Sequence, residues 1–124
     1  MGANDGLNKR ESLKDIRPWG NFVQYAHNEK CTVKIIEVNP GQRLSYQSHE
    51  KRDELWVIID RGLRVELDDR VIDTEPGDEI VIERNTKHRL SCIGEKARLL
   101  EISFGDFDEN DIKRFDDDYG RVAP

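Results

Sequence analysis

The chain has 124 residues, enough for one hydrophobic core and too short for two. Hydrophobic residues make up 35% and charged residues 37%, which suits a small β-barrel in which only alternate residues face inward. A net charge of −6 argues against a surface that holds a nucleic-acid backbone. No run approaches membrane-spanning length, and the N-terminal MGANDGLNKRESLKD lacks the apolar core of a secretory signal. The expectation is a cytoplasmic protein whose two distant cysteines, Cys31 and Cys92, are free thiols buried in strands.

In chain order, residues 1–16 are polar and read as a leader. Arg17-Pro18-Trp19-Gly20 then forms a turn-like entry, with Trp19 as a packing anchor. From Asn21 onward, short runs rich in Val and Ile alternate with turn signals: NFVQYA, CTVKIIEV, RLSYQS, ELWVIID, LRVEL, RVIDT, EIVIE, HRLSCI and ARLLEIS. Strands at this spacing predict an all-β sandwich or barrel. Asp68-Asp69 predicts a tight hairpin. Pro40-Gly41 and Pro76-Gly77 mark turns at corresponding points of a repeated half-barrel unit. In the acidic tail GDFDENDIKRFDDDYGRVAP, Asp108 reads as the cap of a short helix over 109–115. Ile112, Phe115 and Tyr119 then give an apolar stripe that docks the tail on the barrel. The expected division is one domain over 1–124, with the leader at 1–16, the barrel at 17–105 and the tail at 106–124.

The stretch GQRLSYQSHEKRDELW carries the chemistry. Residues two apart on a strand point to one face, so Gln47 and His49 project together, and Glu54 can join them from the next strand. PGDEIVIERNTKHRL offers a further strand and then His88. Two imidazoles, a carboxylate and an amide oxygen make a ligand set for a divalent ion such as zinc, iron, manganese or nickel. The local charge around them is positive, from Arg43, Lys51, Arg52, Lys87 and Arg89. Arg89 has the opposite parity to His88 and is expected to face solvent, as is His27 in its turn.

These two stretches resemble the paired motifs of the cupin superfamily, a double-stranded β-helix or jelly-roll barrel. Gly41, Gln47-Ser48-His49, Glu54 and Gly62 correspond to the first motif. Gly77, Glu83-Arg84-Asn85 and His88 correspond to the second, with Glu83 and Asn85 where the family has Pro and Gly. Gln47 in place of a histidine, together with RPWG, PGQRLSYQSH, the Glu54/Trp56 pair, TKHRL and DIKRFDDDYGR, resembles a narrower group. That group is the C-terminal cupin domain of type II mannose-6-phosphate isomerases, often fused to mannose-1-phosphate guanylyltransferase.

The resemblance implies a metal-dependent interconversion of mannose 6-phosphate and fructose 6-phosphate. Its ligands would be Gln47, His49, Glu54 and His88, on one divalent ion, with zinc first and manganese, iron, cobalt or nickel as alternatives. Glu101, within ARLLEIS, and Lys51 are the candidates for the base, and Arg43 and Lys87 for the phosphate. Arg114 and Arg121 reach the site only if the tail folds over the barrel mouth. With no nucleotidyltransferase segment before the barrel, the expectation is an isomerase without guanylyltransferase activity. The partner is a small sugar phosphate and the assembly a homodimer. The competing reading is a non-catalytic cupin that binds a sugar or sugar phosphate as a sensor or partner subunit.

Overall fold

The computed structural model describes residues 12–122. Eleven strands follow one another: β1 (Leu13–Arg17), β2 (Gly20–Gln24), β3 (Cys31–Val38), β4 (Tyr46–Ser48), β5 (Glu54–Ile58), β6 (Leu63–Leu67), β7 (Arg70–Asp73), β8 (Glu79–Ile82), β9 (His88–Cys92), β10 (Ala97–Phe104) and β11 (Lys113–Asp116). They form a β1-β2 hairpin, a four-stranded sheet in the order β3-β10-β5-β8, and a five-stranded sheet in the order β11-β4-β9-β6-β7. All pairings are antiparallel. The all-β expectation therefore holds.

Strand alternation sets what fills the space between the sheets. On β6, Leu63, Val65 and Leu67 are buried and alternate with the less buried Arg64 and Glu66. Their partners across the β6–β9 ladder are Cys92, Leu90 and His88. From the other sheet come Ile58, Leu99 and Val38, and these pack with Leu63, Val65, Leu67, Leu90 and Cys92 as one apolar cluster. Burial of such side chains supplies roughly 25 cal/mol per Å² of apolar surface.

The two Pro-Gly turns have the same geometry. Gln42 N–H donates to Asn39 O at 3.1 Å and Asp78 N–H to Glu75 O at 3.0 Å, with Gly41 at φ +76° and Gly77 at φ +93°. Proline followed by a residue at positive φ is the pattern of a type II turn.

Several sequence expectations are corrected. Residues 13–16, read as part of the leader, belong with Arg17 to β1, a strand paired with β2, while residues 1–11 lie outside the described part. Trp19, read as a packing anchor, is 74% exposed at the tip of that hairpin. The helix over 109–115 does not form. Asp108 accepts Asn110 N–H at 2.9 Å and its carbonyl accepts Asp111 N–H at 3.0 Å, which closes a single turn. The chain then extends as β11, because the edge of β4 offers a ladder of unsatisfied backbone groups. The tail is thus docked as expected, but as a strand of the five-stranded sheet. Tyr119 is half exposed and donates its hydroxyl to Gln42 Oε1 at 2.5 Å. Arg89 does point away from His88, yet it is only 5% exposed. Its guanidinium donates to Leu44 O at 2.9 Å and to Asp116 Oδ2 at 3.0 Å, so the docked tail covers it. Cys92 is buried, Cys31 is partly exposed, and both thiols are free. His27 is exposed.

Candidate metal centre and its pocket

The ladders bring two rows of inward-facing side chains against each other. In the five-stranded sheet, Arg114 of β11 lies opposite Gln47 of β4, and Gln47 lies opposite His88 of β9. In the four-stranded sheet, Lys34 of β3 lies opposite Glu101 of β10, and Glu101 lies opposite Trp56 of β5. Glu54, two residues before Trp56, shares its face. The apolar cluster fills one end of the space between the sheets, and these polar residues occupy the other.

His49, Glu54 and His88 are all buried, and one potential ligand atom from each lies within 4.8 Å of the others. His49 Nε2 is 3.6 Å from Glu54 Oε2, and the two imidazole centroids are 5.1 Å apart. Each ring is held through its other nitrogen. His49 Nδ1 donates to Asp111 O at 2.7 Å, and His88 Nδ1 donates to Thr86 O at 2.8 Å. Both Nε2 atoms are therefore left as lone-pair donors aimed at the cluster, the arrangement that orients histidine ligands. Burial lowers the pKa of both imidazoles, which keeps them neutral as metal ligation requires.

His88 Nε2 is buried with no hydrogen-bond partner among the described residues. A buried orphan of this kind calls for an occupant. Glu54 Oε1 accepts Trp56 Nε1–H at 3.0 Å and Oε2 accepts Arg52 Nε–H at 2.7 Å. Each carboxylate oxygen keeps a second lone pair, so neither contact prevents coordination. Two imidazoles and a carboxylate with a position left open fit a divalent ion, and the same donor types occur at catalytic zinc sites. Gln47 Nε2 stands 3.3 Å from His49 Nε2, while its Oε1 accepts the Ser45 hydroxyl at 2.5 Å. A half-turn of the amide would bring the oxygen to the cluster and let the NH2 donate to Ser45.

The cluster opens into a cavity of about 420 Å³ lined by Gln47, His49, Glu101, Lys34, Arg52 and Arg114, with Phe107 as a wall. Glu101 is 7% exposed, and burial, reinforced by the Glu54 charge, pushes its pKa up to about 7. Lys34 and Arg52 oppose that rise.

The remaining residues named from sequence lie elsewhere. Lys51 is exposed, and its backbone N–H donates to Asp111 Oδ2 at 3.0 Å. Lys87 is exposed with its ammonium 4.4 Å from the centroid of the Phe115 ring. Arg43 is held by Asp118 through two hydrogen bonds of 2.7 and 2.9 Å. Arg43 has the strand parity of Gln47 and His49, but only Tyr46–Ser48 is continuous strand. Leu44, three residues before Gln47, shares the cavity lining with it, so the alternation slips in between and Arg43 falls outside.

Arg52 is the largest omission of the sequence reading, where it counted only towards local charge. It is buried, bonded to Glu54, and its Nη2 lies 3.4 Å from His49 Nε2. Its guanidinium stacks on Phe107 at 4.4 Å. Its position two residues before Glu54 was the available signal. Lys34, set among the apolar residues of CTVKIIEV, gave a similar one. Asp111 carried none, since its role depends on the tail's path.

The family described as "Mannose-6-phosphate isomerase C-terminal" matches residues 4–117. The chain belongs to that family. Family relatives include the mannose-1-phosphate guanylyltransferase ManC of Salmonella typhimurium strain LT2, 34% identical over 121 residues, which are 95% of this chain and 25% of ManC. The alginate biosynthesis protein AlgA of Pseudomonas aeruginosa is 34% identical over 109 residues, 86% of this chain and 23% of AlgA. The chain thus spans about a quarter of the length of these relatives. Among solved structures, a cupin 2 domain-containing protein from Halorhodospira halophila is 27% identical with a TM-score of 0.63, covering 86% of this chain and 68% of that one. KdgF from Halomonas sp. is 19% identical with a TM-score of 0.62, covering 69% and 78%, and supports the fold alone. The barrel is cupin-like, as its two motifs implied.

The relatives also overturn one expectation, that of an isomerase without guanylyltransferase activity. ManC and its Escherichia coli K12 counterpart are named mannose-1-phosphate guanylyltransferases. The expectation had rested on where this chain begins, which says nothing about a protein four times its length. Among the described residues, no helix is long and apolar enough to cross a membrane.

Proposed function

We propose that the cavity binds a divalent ion and a sugar phosphate, and that it interconverts mannose 6-phosphate and fructose 6-phosphate. The proposal concerns the reaction of this barrel and not the activity of a longer protein. The observation that carries it is Glu101: a buried carboxyl with a pKa near 7, opening into the same cavity as His49 and Gln47. A general base works best when its pKa lies near the working pH.

His49, Glu54 and His88 would hold the ion, with the Gln47 amide oxygen as a fourth donor. When bound, the ion supplies Lewis-acid stabilisation of the enediolate oxygen, and zinc is the first choice for this donor set. Glu101 would take the proton from C2 of the open-chain aldose and return it to C1. The O2 proton passes to O1, so the C1 carbonyl oxygen becomes a hydroxyl and the C2 hydroxyl becomes a carbonyl, with no outside oxidant or reductant. Phe107 walls the cavity and limits water around the carboxyl, which sustains its raised pKa. A cytoplasmic location is part of this reading.

The test is an isomerase assay on purified protein, stripped with chelator and reloaded with zinc, manganese, iron, cobalt or nickel. The expected result is mannose 6-phosphate formed from fructose 6-phosphate, lost with chelator and restored by one ion. No turnover from folded, metal-loaded protein would overturn the proposal.

Arg52 favours a second reading, a non-catalytic sugar-phosphate binder. Its guanidinium lies against Glu54 and His49 and gives the cluster a cation of its own. Calorimetry would then show mannose 6-phosphate binding equally well with and without metal.

A further inference from the structure

We propose that Arg114, delivered by the C-terminal strand β11, and Lys34 of β3 form the phosphate subsite of the cavity. The inference rests on the sugar-phosphate reading above and assigns the group that recognises the phosphate. Six other cations surround the motifs, and each is engaged or misplaced. Arg43 is bound to Asp118, Arg52 to Glu54, Arg84 to Asp53 and Arg89 to Asp116. Lys51 and Lys87 are exposed, outside the cavity lining.

Arg114 is different. Its register opposite Gln47 turns it to the inner face, and it lines the cavity. Its Nε is buried and has no hydrogen-bond partner among the described residues. No carboxylate among the described residues forms an ion pair with it. A buried guanidinium N–H without an acceptor costs free energy that a bound anion would recover.

Lys34 lines the same cavity from the opposite sheet. Its ammonium sits 4.0 Å from the centroid of the Phe107 ring, and no carboxylate among the described residues lies within ion-pair distance of it. Two cations without carboxylate partners on facing walls suit a dianion better than a neutral sugar. A guanidinium also matches the oxygens of a phosphate through parallel N–H donors. The lining has two carboxyl groups: Glu101, which the proposed reaction uses, and Glu109, which is exposed. The tail is thereby part of the binding site as well as of the sheet.

The experiment is titration calorimetry of the metal-loaded protein with mannose 6-phosphate and with inorganic phosphate. Metal content and circular dichroism are recorded for every variant. Arg114→Gln is expected to weaken both ligands by about tenfold to a hundredfold, the loss of a charge-assisted hydrogen bond. Metal content should not change, and Arg114→Lys should recover part of the affinity. Lys34→Gln should give an independent loss, which keeps the test decisive if Arg114→Gln fails to fold. Full affinity in a folded, metal-loaded Arg114→Gln or Lys34→Gln protein would overturn the assignment, as would a loss confined to Arg43→Gln. If the unaltered protein binds neither ligand, the sugar-phosphate reading falls with it. If it binds both and the variants match it, only the subsite falls.

Discussion

At His88 one nitrogen is tied to the Thr86 carbonyl and the other is buried without a partner. His88→Ala should abolish stoichiometric metal binding, read by elemental analysis of protein loaded and then desalted. If the variant keeps a full equivalent of metal, the centre lies elsewhere. Glu101 allows a prediction with a definite sign. Its folded pKa of about 7 lies above the ordinary glutamate value of 4.5, so the folded state holds a proton that the unfolded chain has released over that window. Stability of the metal-free protein should therefore fall as pH rises from about 4.5 to about 7, and level off above. Glu101→Gln should remove that slope and gain about 2 to 3 kcal/mol at pH 8, measured by urea denaturation in chelator. The same variant should lose isomerase turnover. Asn85 settles how the second motif closes without its glycine. It adopts φ +67°, which asparagine tolerates better than most residues, and donates its N–H to His49 O at 2.6 Å.

Strand β11 couples the tail to the site at the level of elements. Two of the arginines that hold that tail differ in burial. Arg89 is buried and donates to Leu44 O and Asp116, so Arg89→Met should cost about 2 kcal/mol through the acceptor it strands. Arg43 and Asp118 are both well exposed, and Arg43→Gln should leave the melting temperature almost unchanged. Thermal denaturation of both variants, side by side, checks the contrast. The sequence made β5 to β10 legible because alternation on half-buried strands is a local signal, and the twin Pro-Gly turns confirmed their spacing. The tail and β1, the first strand of the hairpin, were not legible in the same way. Asp108 does close a turn, but whether a turn grows into a helix or a strand depends on the vacant edge of β4, more than sixty residues earlier in the chain. His49, Glu54 and His88 could be read from their spacing. Arg43 could not be placed, because a slip in alternation before Gln47 leaves no mark in composition.

Across the whole molecule, polarity is divided along the space between the sheets, with the apolar cluster at one end and the site at the other. Leu90 is fully buried in the first and adjoins His88 and Arg89 in the chain. Leu90→Ala should cost about 2 to 5 kcal/mol, the usual range for a truncated core leucine, with the transition followed by chemical denaturation. The order of the strands has a consequence for synthesis. β3 pairs with β10, and β4 with β9 and β11, so these two strands receive their neighbours only from the last third of the chain. While the ribosome is still extending the polypeptide, His49 and Glu54 emerge before His88, and Arg114 follows last of all. A nascent chain halted before Lys113 would present an open β4 edge and an incomplete anion site. The finished pocket therefore waits for β11, and arrested nascent chains probed by proteolysis should become resistant only after β11 has left the ribosome.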